Sequence, residues 1–114
     1  MKDRRTSERR ETFEYWTVTE AETGKRIGMV VDLNREGLRL HCDAPVKAGT
    51  QLICAIHLDK RIAGVDTIEL VLKCRWCRKV KTSHLSACGF ELVEQSKAYM
   101  KVEQRLIDFF SIAV

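Results

Sequence analysis

The feature that most constrains the fold is a long run, Thr67 to Lys79, in which apolar and polar side chains alternate. Successive side chains of a β-strand point to opposite faces, so this period of two predicts a strand with one buried face. We assign five side chains to the core: Ile68, Leu70, Leu72, Cys74 and Trp76. The opposite face takes Glu69, Val71, Lys73, Arg75 and Cys77. A strand of this kind needs neighbouring strands to complete its hydrogen bonds.

Five further stretches read as shorter strands, because they are rich in apolar and β-branched residues and are bounded by turn residues. They are residues 13–20, 26–32, 38–42, 51–58 and 86–92. Gly24 lies in the turn Glu22-Thr23-Gly24-Lys25 and is expected to take a positive φ. Six strands at this spacing predict a mainly β fold, a small antiparallel six-stranded β-barrel that is closed or nearly so.

The C-terminal segment changes period and predicts an α-helix with a broad apolar face. Ser96 is a candidate N-cap. The stripe comprises Tyr99, Val102, Leu106, Phe109 and Ala113, widened by Ile107, Phe110 and Val114. We expect Leu106 and Phe110 to be buried against the barrel or a second subunit, and the alternative is that part of the face binds a partner helix. The predicted organisation is a flexible basic arm (1–12), a barrel (13–95) and a helix (96–114).

Composition narrows the class of protein. The 114 residues are 45% hydrophobic and 32% charged, which is ordinary for one globular domain. A net charge of +4 suits an anionic ligand but is weaker than the bias of a dedicated DNA-binding protein. No apolar run is long enough to cross a bilayer and no secretory signal is visible, so we predict a cytoplasmic protein. The five cysteines are therefore expected to be reduced thiols.

The candidate metal and catalytic residues do not form a recognisable site. Cys74 and Cys77 have the spacing of a zinc or redox pair, but residues three apart on a strand point to opposite faces. We expect Cys74 in the core and Cys77 outside, with no metal bound. The histidines His41, His57 and His84 are scattered and lack an evident nucleophile or acid partner. The sequence thus predicts a protein that is not an enzyme.

Two short motifs carry the functional prediction. Arg5-Thr6-Ser7-Glu8-Arg9 has an Arg-x-x-x-Arg spacing before the first strand, and Asp32-Leu33-Asn34-Arg35-Glu36-Gly37 follows the second strand. Their order and separation resemble the PilZ family, in which Arg-x-x-x-Arg precedes Asp-or-Asn-x-Ser-x-x-Gly. The resemblance extends over nearly the whole chain, through Pro45, Gly49 and Gly89-Phe90 to the C-terminal helix.

The resemblance implies a small barrel that binds cyclic di-GMP. Arg5 and Arg9 would hold phosphate and the outer edge of guanine, because the guanidinium fork matches both. Asp32 and Asn34 would hold a guanine edge, and Gly37 would keep the turn close to the ligand. Secondary candidates for the same site are Arg4, Arg10 and Arg35.

Asn34 departs from the family, which usually has Ser at this position. Asn also donates and accepts hydrogen bonds, but it is larger, so it either reaches the guanine or crowds it. We therefore predict a cyclic di-GMP-binding effector that couples the second messenger to an unidentified protein partner through ordering of its arm. The alternative is a degenerate PilZ-like domain that acts by protein contact alone. A barrel that binds nucleic acid fits the sequence less well than either of these interpretations. We do not expect membrane insertion. We expect the protein to be a monomer or a homodimer.

Overall fold

The computed structural model describes residues 16–113, with side chains described as far as Phe109. In this part of the chain the strands are Thr17–Glu20 (β1), Arg26–Leu33 (β2), Gly37–Cys42 (β3), Gln51–His57 (β4), Thr67–Lys79 (β5) and Ser86–Leu92 (β6). The helices are Lys60–Ala63 (α1) and Lys97–Ala113 (α2). The residues 13–15 that we assigned to the first strand lie outside the described residues.

The six strands close into an antiparallel barrel in the order β1-β2-β3-β6-β5-β4. β5 is long enough to pair with β4 through its first half and with β6 through its second half. β3 pairs with β6 and not with β4, so the strands are not simply arranged in chain order. The predicted mainly β, six-stranded barrel with a C-terminal helix is confirmed.

The barrel interior holds the apolar face of each strand. Fully buried side chains include Val18 on β1, Leu40 on β3, Ile56 on β4 and Leu72 on β5. Trp16, just before β1, is also buried. Positive φ at Gly24 (+75°) closes the β1–β2 turn, as the turn sequence predicts.

The prediction for the end of β5 is wrong at Trp76 and Cys77. The pairing of β5 with β6 shifts by one residue between Cys74 and Trp76, which is a β-bulge at Arg75. One extra residue inverts every later side chain, because the period of a strand is two. Trp76 is therefore 37% exposed on the outside of the barrel. Cys77 is half-buried and turned inward, where its Sγ lies 2.9 Å from the Sγ of Cys88.

Helix α2 covers one end of the barrel. Ser96 Oγ accepts a hydrogen bond from the Tyr99 amide at 3.1 Å, so Ser96 caps the helix as predicted. Tyr99, Val102 and Leu106 are buried, whereas Phe109 is 40% exposed although it belongs to the predicted apolar stripe. The side chain of Phe110 lies outside the described residues.

Helix α1 was not predicted. Asp59 caps its N-terminus by accepting from the Arg61 amide, and Gly64 ends it with a φ of +86°. Arg105 of α2 donates to the Ile62 carbonyl oxygen at 3.1 Å, which joins the two helices. Neither helix in the described part of the chain has the length and apolar character needed to span a membrane.

Candidate functional site

A cleft of about 390 Å³ lies on the outside of the barrel where β3, β6 and the second half of β5 run side by side. Its volume falls within the range typical of small-molecule sites. The residues that line it are Asn34, Glu36, Gly37, Leu38, Arg39, Arg75, Trp76, Gly89, Phe90 and Glu91. The β2–β3 turn forms one end of the cleft, so the second sequence motif lies directly beside it.

The Trp76 indole forms the aromatic wall of the cleft. Trp76 lies opposite Gly89 in the β5–β6 pairing, and a Cβ on Gly89 would overlap the indole nitrogen. Glycine therefore allows the ring to lie against the backbone of β6. The guanidinium of Arg78 lies over the same ring, 5.1 Å from its centroid, which is cation–π geometry. Part of the indole remains exposed and is available to pack against a planar ligand.

Two arginines supply positive charge to the cleft, and each is paired with a carboxylate. Arg75 Nη1 lies 3.1 Å from Glu91 Oε1, and Arg39 Nη2 lies 3.6 Å from Asp32 Oδ2. Both arginine side chains are 58% exposed, and exposed ion pairs contribute little net free energy. A phosphate can therefore compete for these guanidinium groups at low cost.

Asn34 shapes the turn through its own side chain. Its Oδ1 accepts hydrogen bonds from the amides of Glu36 at 2.9 Å and Gly37 at 3.3 Å. The Asn34 amide in turn donates to the Gly37 carbonyl oxygen at 2.9 Å. This is an Asx-turn, in which the side chain replaces a backbone group. The acceptor oxygen of Asn34 is thus engaged within the turn.

Asp32 and Gly37 have roles that the sequence pattern does not distinguish. Asp32 Oδ1 accepts from the Leu33 amide at 2.9 Å, while its Oδ2 faces Arg39. Gly37 does not have a positive φ, so it is not needed to reverse the turn. Instead a Cβ at Gly37 would overlap the carbonyl oxygen of Phe90 on the adjacent strand. Glycine at this position permits close approach of β3 to β6.

Tyr99 of helix α2 connects the helix to the same turn. Its hydroxyl lies 2.8 Å from the Asn34 carbonyl oxygen and 2.7 Å from the Gly37 carbonyl oxygen, and donates its single proton to this pair. The side chain is fully buried, and burial raises the pKa of the hydroxyl above its ordinary value. The helix is therefore hydrogen-bonded to the turn through Tyr99.

The predicted site residues separate into three groups. Asn34 and Gly37 line the cleft, and Asp32 adjoins it through its ion pair with Arg39. Arg35 is exposed in the turn and does not line the cleft. The arm residues Arg4, Arg5, Arg9 and Arg10 lie outside the described residues.

Sequence reasoning missed the residues contributed by β3, β5 and β6. Arg39, Arg75 and Trp76 belong to strands that the sequence places correctly, but the bulge reverses the expected direction of Trp76. The available signal was Gly89, since glycine within a strand often marks a bulge or a close contact. Within the described residues, no group of three or more His, Cys, Asp or Glu side chains is arranged to hold a metal ion.

Comparison with models of known protein families gives a match over most of the chain. The family model of the PilZ domain matches residues 3–109, nearly the whole chain. The chain therefore belongs to the PilZ domain family, whose members are of the cyclic di-GMP-binding, non-enzymatic effector type. No curated protein and no solved structure gives a significant match.

Proposed function

We propose that this chain is a cyclic di-GMP-binding effector of the bacterial cytoplasm that transmits the level of the second messenger to a protein partner. The observation that carries the proposal is the cleft beside the Asp32–Gly37 turn, which combines an exposed indole with two weakly paired arginines. Cyclic di-GMP has two planar guanines and two phosphates, so it requires stacking surfaces and guanidinium groups together.

In the proposed complex a guanine packs on Trp76, while Arg39 and Arg75 contact phosphate. Arg5 and Arg9 of the arm then close over the ligand from the side that the barrel leaves open, with Arg4, Arg10 and Arg35 contributing charge. Arg39 turns from Asp32 to the phosphate, and Asp32 accepts N–H groups from a guanine edge. Ordering of the arm on the ligand presents a new surface to the partner.

Calorimetric titration of the full chain with cyclic di-GMP tests the proposal. Loss of one charge-assisted contact costs roughly 1.5 to 3 kcal/mol, so we expect Arg9→Ala or Asp32→Ala to weaken binding about tenfold or more. Trp76→Ala should weaken it comparably, since stacking is worth about 1–3 kcal/mol per base. Arg26→Ala removes an exposed arginine that is paired with Asp43, away from the cleft, and should leave the affinity unchanged.

NMR spectra of the full chain give a second readout. If the arm becomes ordered on the ligand, backbone amides of residues 4 to 10 should shift strongly during the titration. Shifts confined to the cleft, with the arm unaffected, would contradict the coupling through the arm.

The alternative is a PilZ domain that no longer binds the nucleotide and works by protein contact. One observation favours it: Asn34 Oδ1, at the position of the usual Ser, already accepts two backbone amides. Absence of binding at high micromolar ligand, by a protein whose circular dichroism shows it folded, would support this alternative. Tighter binding by Asn34→Ser would show that Asn34 crowds the ligand, whereas similar binding would show that it is tolerated.

A further inference from the structure

The barrel interior contains a pair of thiols that the cleft does not use. Cys77 on β5 and Cys88 on β6 are directly opposite each other in the strand pairing, and the Cys88 thiol donates to Cys77 Sγ at 2.9 Å. Two sulfur atoms at this separation need only a small movement to reach bonding distance. The proximity depends on the bulge at Arg75, which turns Cys77 inward.

The position of the pair in the ladder also suits a bond. Val80 donates to the Leu85 carbonyl oxygen at 3.0 Å, so these two residues form a hydrogen-bonded pair next to the β5–β6 turn. Hydrogen-bonded and non-hydrogen-bonded pairs alternate along an antiparallel ladder, and Cys77–Cys88 is three steps away. It is therefore a non-hydrogen-bonded pair, with Cα atoms about 4.5 Å apart. That separation lies at the near edge of the range of about 4.4–6.8 Å seen in disulfides.

The other cysteines are less well placed to bond with Cys88. On β3 the residue opposite Cys88 is Leu40, while Cys42 is opposite Ser86. On β5 Cys74 is opposite Phe90, and its thiol is directed at the carbonyl oxygens of Trp76 and Val46. Cys42 and Cys74 are thus diagonal neighbours of Cys88, and Cys77 alone faces it across the ladder.

Access and polarity distinguish the two members of the pair. All five cysteines lie within the described residues, and Cys77 is the only one that is not fully buried. The Val46 amide donates to Cys77 Sγ at 3.5 Å, so this sulfur faces a backbone N–H group. Burial raises the pKa of Cys88, which keeps that thiol protonated. An oxidant therefore meets Cys77 first.

We propose that Cys77 and Cys88 form a reversible oxidation site at which a hydroperoxide closes a disulfide between β5 and β6. The Cys77 thiolate attacks a peroxide oxygen, the O–O bond breaks, and Cys77 becomes a sulfenic acid while one water or alcohol leaves. The Cys88 sulfur then attacks Cys77, and the sulfenic oxygen leaves as water with the remaining proton. In sum two thiols lose two electrons and two protons, and the peroxide is reduced.

The bond would fix the shifted register of β5 and β6. The residues adjacent to the pair are Trp76 and Gly89, which face the cleft on the outside of the same ribbon. Oxidation inside the barrel would thus lock the strand arrangement that supports the aromatic wall outside. The formation of the bond itself is independent of the nucleotide and can be tested without it.

The test is mass spectrometry of the folded, fully reduced chain after treatment with hydrogen peroxide and quenching with acid, which stops thiol exchange without adding mass. We expect a species about 2 Da lighter that dithiothreitol returns to the starting mass. Trypsin separates every cysteine, so the bond should join peptide 76–78, which contains Cys77, to peptide 82–97, which contains Cys88. This mapping needs only the wild-type chain and does not depend on a variant that folds.

Variants give the matched controls. Cys77→Ser should abolish the 2 Da loss, whereas Cys54→Ala, which removes a buried thiol from β4, should oxidise as the wild type does. A disulfide from Cys88 to Cys42 or Cys74 would overturn the proposal. So would addition of oxygen at Cys77 without a crosslink, or an unchanged mass in the folded chain.

Discussion

The two halves of strand β5 differ in the direction of their side chains. From Thr67 to Cys74 the strand alternates strictly, and Ile68, Leu70, Leu72 and Cys74 all point into the barrel. After the bulge at Arg75 the pairing is shifted, an aromatic side chain lies outside and a thiol lies inside. The first half is typical of a structural strand, whereas the second half contributes to both the cleft and the thiol pair.

The difference shows what a single extra residue does for a binding surface. A regular strand would bury Trp76 and leave Cys77 in solvent, because side-chain direction depends only on the parity of the register. The bulge instead brings Trp76 against Gly89 on the outer face, beside the β2–β3 turn. Bulges are common next to functional sites for this reason, since they redirect a side chain without changing the fold.

Deletion of Arg75 tests whether the extra residue is the cause of the difference between the two halves. Without it Trp76 would follow Cys74 directly and still lie opposite Gly89, so regular alternation would keep Trp76 outside the barrel and Cys77 inside. We expect the chain to stay folded, with Trp76 still exposed to a fluorescence quencher and a free energy of unfolding lower by about 1–3 kcal/mol. Urea denaturation measures the loss. A buried Trp76 in this variant would contradict the bulge at Arg75. An Arg75→Ala substitution, which keeps the residue count, should cost less than about 1 kcal/mol and serves as the control.

Leu72→Ala and Trp76→Ala compare the halves directly. Leu72 is fully buried, so its truncation should lower the free energy of unfolding by about 2–5 kcal/mol. Trp76 is 37% exposed, and its truncation should cost distinctly less stability while removing the aromatic wall of the cleft. Parallel denaturation and nucleotide titration of both variants test this division. A larger stability loss for Trp76→Ala than for Leu72→Ala would contradict the assignment of the second half to function.

The sequence predicts the regular parts of this protein well and the irregular parts poorly. The barrel follows from period-two patterning and turn residues, and the Ser96 cap from the start of a helical stripe. The direction of Trp76 could not be predicted, because Gly89 indicates a bulge or a close contact but does not show which residue of the partner strand is the extra one. Nor does the pattern show that Tyr99 reaches the β2–β3 turn, since that contact joins residues distant in the chain. The arm residues Arg5 and Arg9 remain predictions.

Gly89→Ala tests the close contact between Gly89 and the Trp76 indole, which forms the aromatic wall of the cleft. A Cβ at Gly89 would overlap the indole of Trp76, so the ring must move away from β6. We expect a loss of about 1–3 kcal/mol in stability, typical of overpacking. If the clash is the cause, the same substitution in a Trp76→Ala background should cost much less. Equal costs in the two backgrounds, measured by a double-mutant cycle, would show that the glycine serves the strand backbone rather than the tryptophan.

Tyr99→Phe concerns the β2–β3 turn at one end of the cleft, which is hydrogen-bonded to helix α2. The substitution removes the hydroxyl that the carbonyl oxygens of Asn34 and Gly37 share, at a cost of about 0.5–1.5 kcal/mol. Amide signals of residues 34–37 should shift in NMR spectra, whereas those of β4 should not. Unchanged turn signals would show that the helix does not position the turn.

The pH dependence of the stability difference between the wild type and Tyr99→Phe shows whether the hydroxyl itself, and not only packing of the ring, contributes. Burial raises the pKa of Tyr99 in the folded state above its ordinary value of 10.0, so the folded chain retains this proton longer than the unfolded chain. The contribution of the Tyr99 hydroxyl to the free energy of unfolding is therefore fully present below pH 10.0 and declines as the pH rises above that value. Buried thiols such as Cys42, whose pKa burial raises to about 11, titrate in both chains and cancel in the difference. The stability advantage of the wild type over Tyr99→Phe should accordingly shrink above pH 10, and a constant advantage would mean that Tyr99 is not held protonated by burial.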